Sequence, residues 1–154
     1  TNHDPRFTRP RLRALMPALA EEGADASRLA RLAGRLRRAN AALEIMADGA
    51  ERYLASMDGG GSGFDLAAFA ALSAEIRVRL LTRAINRIGH EGPAELGKVE
   101  ALLEAIDQDS PGPKSGRKSG RVKQTLAGAV IGIAKGRIYI VPAPPRRRRM
   151  GGLP

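Results

Sequence analysis

The chain has 154 residues, a length that suits one domain, with 43% hydrophobic residues and a net charge of +10. It has no cysteine, which excludes a disulfide framework and a cysteine-based zinc site. No apolar run approaches the ~18 residues of a membrane span, and no signal-peptide pattern opens the chain. We therefore expect a soluble, cytoplasmic protein that has no membrane partner.

The positive charge is concentrated in the last third of the chain. Residues 1–57 carry a charge of +3, residues 58–109 carry −4, and residues 110–154 hold 11 basic and no acidic side chains. A segment of this kind suits a polyanionic partner. Nucleic acid is the leading candidate, and an anionic membrane surface is the weaker alternative.

The first predicted helix begins near the N-terminus. Thr8 is suited to cap it, and Pro10 falls in its first turn, where a proline is tolerated well. Pro17 should kink this helix or end its first segment. Gly23 predicts the end of the helix, and Asp25 is suited to cap the next one.

A row of apolar residues predicts a long helix from about residue 26 to residue 57. Successive members are separated alternately by three and four positions, the spacing of a heptad seam. The members are Leu29, Leu32, Leu36, Ala39, Leu43, Met46, Ala50, Tyr53 and Met57. We expect this row, over residues 29–57, to pack lengthwise on another helix, and self-association is one way to achieve that. The glycine-rich segment 58–65 ends the helix.

The middle of the chain predicts two more helices. Asp65 is suited to cap a third helix that continues to Gly89, and Pro93 lies near the first turn of a fourth that reaches Ile106. The fold class predicted is mainly α, an antiparallel helical bundle with one long helix.

The remaining segments differ in composition. Residues 107–121 are rich in glycine, proline, serine and basic residues and predict a flexible linker. Residues 122–143 predict a small C-terminal β-hairpin with its turn at 134–136. An isolated hairpin is marginally stable, so it must dock on the bundle, pair with another chain or belong to a small β unit. Residues 144–154 predict a disordered basic tail.

No residue pattern predicts a catalytic or metal site. His3 and His90 are the only histidines, and neither has a second ligand at helix or hairpin spacing. The glycines of 59–63 follow a helix instead of a strand, and no Walker lysine comes after them, so they are interpreted as a linker.

Basic residues are the strongest candidates for binding. Two rows recur at helical spacing, and a solvated helix face with acidic neighbours is the alternative for both. The first row is Arg28, Arg31, Arg35 and Arg38; the second is Arg79, Arg83 and Arg87. Guanidinium groups in such rows suit phosphate oxygens. A basic arm adds Lys123, Arg146, Arg147, Arg148 and Arg149. With only 3% aromatic residues, a folded RNA or a duplex bound through its phosphates is favoured over stacked single strands.

The first nineteen residues contain the pattern TN...D..F.R..LR.LMP.L. It resembles the segment that closes the catalytic domain of tRNA(Ile)-lysidine synthetases, where Asp-x-(Ser/Thr)-Asn precedes an aromatic residue, Arg-Asn-x-(Leu/Ile)-Arg and Pro-x-Leu. The matching residues are Thr1, Asn2, Phe7, Arg9, Leu12, Arg13, Pro17 and Leu19. The rest of the chain is similar in composition to the shorter members of that family.

The resemblance implies that the chain is the C-terminal portion of a longer ligase. Residues 1–19 would end the catalytic-domain segment, and residues 20–106 would form a helical tRNA-binding bundle. The family joins lysine to the wobble cytidine of the isoleucine tRNA anticodon, using ATP and magnesium in a PP-loop domain. The Ser-Gly-Gly-x-Asp-Ser segment of that domain does not occur here. We therefore expect no bound cofactor and no activity from this chain alone.

The resemblance also implies roles for three residues near the N-terminus. Asn2, Arg9 and Arg13 match motif positions that would lie near ATP or tRNA. Pro10 stands where the family has asparagine, so no amide contact is expected there. Two alternatives do not depend on the resemblance. One is a free-standing basic helical module that binds RNA or DNA, and the other is a coiled-coil dimerisation element that uses the row at 29–57.

Overall fold

The computed structural model describes residues 8–57, 63–109 and 122–144. Asn2, residues 110–121 of the predicted linker and the four arginines 146–149 lie outside these ranges. Residues 107–109 were also predicted as linker, but they form the end of a helix that reaches Asp109. The chain divides into two compact units, residues 1–45 and residues 46–154. Each unit is described by itself below.

Five helices and four strands make up the described part of the chain. The helices are α1 (Thr8–Glu21), α2 (Ala26–Met57), α3 (Leu66–Ala70), α4 (Ala74–Ile88) and α5 (Leu96–Asp109). The strands are β1 (Gly63–Asp65), β2 (Lys123–Leu126), β3 (Ala129–Ala134) and β4 (Arg137–Pro142). The predicted fold class, mainly helical with one long helix and a C-terminal antiparallel β element, is confirmed.

The turn between α1 and α2 follows the sequence prediction closely. Gly23 has a φ of +81°, a conformation that favours glycine, and it ends α1. Asp25 caps α2, because its Oδ1 accepts a hydrogen bond from the Arg28 backbone N–H at 2.8 Å. In contrast, Pro17 does not end α1, which continues through it to Glu21. A proline removes one backbone donor, and the helix tolerates that loss here.

The apolar row on α2 is not the face that packs within the chain. Leu32 is 52% exposed, Leu36 61% and Tyr53 53%. Among the α2 residues whose burial is described, Ala47 and Leu54 are buried, each one position after a member of the predicted row. Among the described residues, the prediction that the row packs lengthwise on another helix is therefore wrong, and self-association through the row stays a prediction.

The predicted third helix is two helices. Asp65 does cap the first of them, since its Oδ1 accepts a hydrogen bond from the Ala68 N–H at 2.8 Å. The helix stops after Ala70, and Ser73 adopts an extended conformation, with φ −63° and ψ 150°, at the N-cap position of α4. The prediction of a single helix over residues 66–88 is therefore wrong, because the backbone is extended and not helical at Ser73.

The C-terminal β element is larger than the predicted hairpin. The predicted turn between β3 and β4 is present, with Lys135 and Gly136 at φ +50° and +74°. A second two-residue turn at Ala127 and Gly128, also with positive φ at both positions, adds β2. With β1, the result is an antiparallel sheet of order β1-β4-β3-β2. Of the options from the sequence, a small β unit is therefore observed, and this sheet also packs on the helices through the contact between β4 and α4.

The core of the second unit lies between this sheet and the helices. α4 contacts both β4 and α5. Phe64 on β1 stacks on Phe69 of α3, with ring centroids 5.4 Å apart. The largest fully buried side chains are Leu54, Phe69, Leu80, Leu81, Ile85, Val99, Leu102, Ile106, Ile131, Ile138 and Ile140. In the described ranges, no helix is long and apolar enough to cross a membrane.

Candidate nucleic-acid interface

The first half of α2 is rich in arginine and free of acidic residues. Between residues 26 and 43 the chain has no aspartate or glutamate. The arginines in this stretch are Arg28, Arg31, Arg35, Arg37 and Arg38. Four of them form the predicted first row, which extends over about 15 Å of helix at 1.5 Å per residue. Because no opposite charge is interspersed, this stretch carries a local charge of +5.

Arg28 anchors the start of the row to the helix terminus. Its Nη1 donates to the carbonyl oxygen of Gly23 at 2.8 Å, and its Nε lies 3.7 Å from the Asp25 carboxylate. The side chain is nonetheless 62% exposed. Its guanidinium group is therefore held in position while part of it faces solvent.

Three arginines that follow are available to an anionic ligand. Arg31, Arg35 and Arg38 are exposed and form no ion pair with any residue in the described ranges. Arg31 and Arg35, together with Arg28 and Leu32, line a surface depression of about 310 Å³. Guanidinium groups that line such a depression suit the oxygens of a phosphate group.

The second arginine row is in a different electrostatic environment. Arg79 donates to Glu75 at 2.8 Å on the same helix, and Arg83 donates to Asp48 at 2.7 Å. Glu51 accepts from Arg83 at 3.2 Å and from Arg87 at 2.6 Å. The hydrogen bond from Arg87, aided by Arg83, holds the pKa of the Glu51 carboxyl below its usual value, although partial burial opposes this shift.

These ion pairs give the second row a structural role. Asp48 and Glu51 lie on α2, and Arg83 and Arg87 lie on α4, so the pairs join two helices of the second unit. Their charges are largely compensated by the acids. The assignment of this row to tRNA binding stays a prediction, with less free charge to support it than the first row has.

The other candidate residues are scattered. Arg9 and Arg13 are exposed on α1, four residues apart and so on one side of it. Lys123 is exposed at the start of β2, an edge strand. Asn2 and the arginines 146–149 lie outside the described residues.

The described residues do not fit a magnesium–nucleotide site. They contain no group of three histidine, aspartate or glutamate side chains that could hold a metal ion. Arg9 and Arg13 offer positive charge on the exposed helix α1. We derive no step through ATP from this part of the polypeptide.

Arg77 contacts two other helices, α5 and α3, and the sequence did not indicate this. Its Nη1 lies 2.5 Å from Asp107 of α5, and its guanidinium carbon lies 6.0 Å from the centre of the Phe69 ring. Its Nε is buried without a partner in the described part of the chain. The only sequence signal was an arginine inside an apolar run of α4, which by itself does not identify the partner helix.

The chain is similar to curated proteins named tRNA(Ile)-lysidine synthase. The one from Bradyrhizobium sp. strain BTAi1 is 62% identical over 160 residues, covering 97% of this chain and 45% of the relative. The one from Rhodopseudomonas palustris is 59% identical, covering 97% and 44%. The one from Bradyrhizobium diazoefficiens is 56% identical, covering 97% and 45%.

These matches place the chain within a larger polypeptide. It spans less than half the length of each of these relatives, which is consistent with a C-terminal portion. No protein-family profile matches the chain. No solved structure is similar to it. Identity of this level over almost all of its residues shows that the chain belongs to the tRNA(Ile)-lysidine synthase family, of which it represents a part.

Proposed function

We propose that this chain is the tRNA-binding C-terminal part of a tRNA(Ile)-lysidine synthase. The observation that carries the proposal is the acid-free first half of α2, where Arg31, Arg35 and Arg38 are exposed and unpaired among the described residues. The names of the relatives supply the class of nucleic acid, an isoleucine tRNA. The ligation of lysine to the wobble cytidine with ATP and magnesium belongs, in this proposal, to the whole enzyme.

The physical role is orientation of the tRNA. Contacts to phosphates position a nucleic acid and carry no base information themselves. Consecutive arginines of the row are separated by about 4.5 to 6 Å along the helix axis, at 1.5 Å per residue. Each can therefore address a different phosphate of one strand. The chain alone is expected to bind tRNA and to leave ATP unhydrolysed.

The salt dependence of tRNA binding tests this proposal. If ~4 phosphates are contacted, log K should fall with log[salt] with a slope of roughly −3 to −4. The variant R31Q/R35Q/R38Q removes three of the charges and retains good helix formers. We expect its slope to be smaller in magnitude by about 2 to 3.

A charge-matched variant serves as the control. R52Q/K98Q/K135Q removes the same charge from three exposed positions outside the row. If both triple variants weaken tRNA binding equally, net charge and not the arginine row is responsible. An unchanged salt slope in R31Q/R35Q/R38Q contradicts the proposal directly.

Competition separates tRNA recognition from general polyanion binding. We expect unmodified isoleucine tRNA to displace a labelled tRNA at lower concentration than a duplex DNA with the same number of phosphates. Equal competition by the two indicates the alternative, a basic module without preference for tRNA.

Self-association is a second candidate function, favoured by one observation. Leu29, Leu32 and Leu36 are 38%, 52% and 61% exposed, and they repeat along the first half of α2. Apolar residues grouped on an exposed helix face often mark a protein contact. Sedimentation at micromolar concentration tests this, with Leu36→Glu as the disrupting variant. If the chain is a monomer at all concentrations, self-association is ruled out and the proposal of tRNA binding still stands.

A further inference from the structure

A row of paired residues crosses the outward face of the sheet and contains an aromatic residue, Tyr139, and a cation, Lys123. Tyr139 on β4 is paired with Gly63 on one side and Gly132 on the other, and Gly132 is paired with Lys123. Directly paired residues lie on the same face of a sheet. The neighbouring positions Ile138 and Ile140 face the core and are buried, so Tyr139 and Lys123 share the opposite, outward face.

The tyrosine ring lies flat across Gly132. A Cβ atom built on Gly132 would lie 2.3 Å from the Tyr139 Oη and 2.4 Å from its Cζ. Only a residue without a side chain leaves this space for the ring. Gly132 is covered as a result, whereas the ring itself remains partly exposed. One side of the ring therefore rests on the sheet at Gly132, while the residue keeps part of its surface exposed.

The charge around the ring is positive. The hydroxyl end of Tyr139 points along the row toward Lys123, whose position on the edge strand is about 10 Å from Tyr139 at the usual strand spacing. Lys123 is exposed, and so is Thr125 two residues later on the same face. Among the described strand residues on this face, Asp65 is the one carboxylate, and it already accepts the capping hydrogen bond from Ala68. Residues 110–154, which contain three of the strands, include no acid.

We infer that this face is a stacking site for an unpaired nucleobase of RNA, with Tyr139 as the platform and Lys123 beside it for the adjoining phosphate. Every base offers a π-face, so a single flat aromatic residue next to a cation suits an exposed nucleotide of any sequence. The inference rests on the proposed tRNA-binding function and adds a second contact, on a different unit from the arginine row. It also gives a role to Tyr139, the one aromatic residue among the described strand residues of the outward sheet face.

Intrinsic fluorescence reports on this site directly. The chain has no tryptophan and two tyrosines, Tyr53 and Tyr139, so the variant Tyr53→Phe leaves Tyr139 as the sole tyrosine fluorophore. We propose titrating this variant of the 154-residue chain with a hexauridylate and with an abasic ribose-phosphate oligomer of the same length. Stacking predicts quenching by the hexauridylate and little quenching by the abasic oligomer. Equal effects of the two oligomers overturn the inference.

Affinity measurements provide a second and independent test. Loss of one stacked base costs about 5-fold to 100-fold in affinity, so Tyr139→Leu should weaken hexauridylate binding by that factor. Tyr139→Phe retains the ring and should bind within about 2-fold of the unmodified chain. Circular dichroism and thermal unfolding verify that each variant is folded. If Tyr139→Leu does not fold, the quenching experiment and Tyr139→Phe still decide the matter.

The outcomes separate this inference from the proposed function. If R31Q/R35Q/R38Q loses tRNA affinity as expected but Tyr139 is not quenched, the stacking site is wrong and the proposed function stands. If tRNA does not bind at all, the proposed function fails, and the hexauridylate titration still tests Tyr139. If a peptide quenches the Tyr139 fluorescence and the hexauridylate does not, the face belongs to a protein partner and the inference is overturned.

Discussion

The ion pairs between α2 and α4 allow a quantitative test of what the second arginine row does. Arg83 lies 2.7 Å from Asp48 and 3.2 Å from Glu51, and its side chain is 26% exposed. Arg79 lies 2.7 Å from Glu75, one turn earlier on its own helix. The substitutions Arg83→Gln and Arg79→Gln remove the same charge and introduce the same residue. The contacts of Arg83 with Asp48 and Glu51 join two helices, whereas the contact of Arg79 with Glu75 lies within one helix.

The expected magnitudes follow from this difference. Arg83→Gln removes two charge-assisted hydrogen bonds between helices, and partial exposure holds each to about 0.5–1 kcal/mol, or about 1–2 kcal/mol together. Glu51 keeps its bond to Arg87, and Asp48, which loses its contact with Arg83, has a side chain that is 50% exposed, so no buried charge is left unpaired. Arg79→Gln removes a contact within one helix, worth about 0.3–0.5 kcal/mol.

Urea unfolding at pH 7 measures both losses, and thermal unfolding should show a shift of about 2–4 °C per kcal/mol. tRNA affinity of the same variants is the companion measurement. We expect Arg83→Gln to lower stability clearly more than Arg79→Gln, with tRNA affinity nearly unchanged in both. The reasoning is refuted if the two variants are equally stable, or if Arg83→Gln weakens tRNA binding as strongly as loss of the first row while stability is unaffected.

Three further predictions concern stability. The pKa of Glu51 is lowered in the folded chain, so the ionised carboxyl stabilises the fold above the unfolded value of 4.5. This stabilisation is lost as the pH falls through the folded pKa. The stability difference between the unmodified chain and Glu51→Gln, measured by urea unfolding, should therefore shrink below pH 4.5. Leu54 is 1% exposed, so Leu54→Ala should lower the free energy of unfolding by about 2–4 kcal/mol in the same assay. Leu36 is 61% exposed, so Leu36→Ala should lower it by less than about 0.5 kcal/mol. Equal losses would mean that the apolar row is buried. A Cβ on Gly89 would lie 2.2 Å from a carbonyl oxygen of the β2–β3 turn, whereas one on Gly97 meets nothing within 4 Å; Gly89→Ala should lower the thermal midpoint, and Gly97→Ala should leave it unchanged or raise it.

Local chemistry made the ends of several elements predictable. Asp25 and Asp65 were identified as N-caps and Gly23 as a helix end, and the structure confirms all three. Such signals depend on residues within one turn of each other, so the sequence contains all the information needed. The turn at Lys135 and Gly136 was predictable for the same reason.

Contacts between distant residues were not predictable in this way. The apolar row of α2 was identified correctly as periodic, but the buried positions are Ala47 and Leu54, one residue further along. The periodicity of a helix indicates that one face is apolar, whereas the neighbours that α2 meets decide which positions are covered. β1 was missed because three residues beside a glycine-rich segment carry almost no strand signal, and only pairing with β4 defines it.

The two arginine rows show most clearly what each level of information decided. By itself, the sequence determined that both rows have helical spacing, that residues 26–43 lack acids, and that the family motif opens the chain. Only the tertiary structure decided that Arg83 and Arg87 meet Asp48 and Glu51, more than thirty residues away, while Arg31 and Arg35 meet no acid in the described ranges. Charge is a property of each residue, but whether it is compensated depends on distances that folding sets.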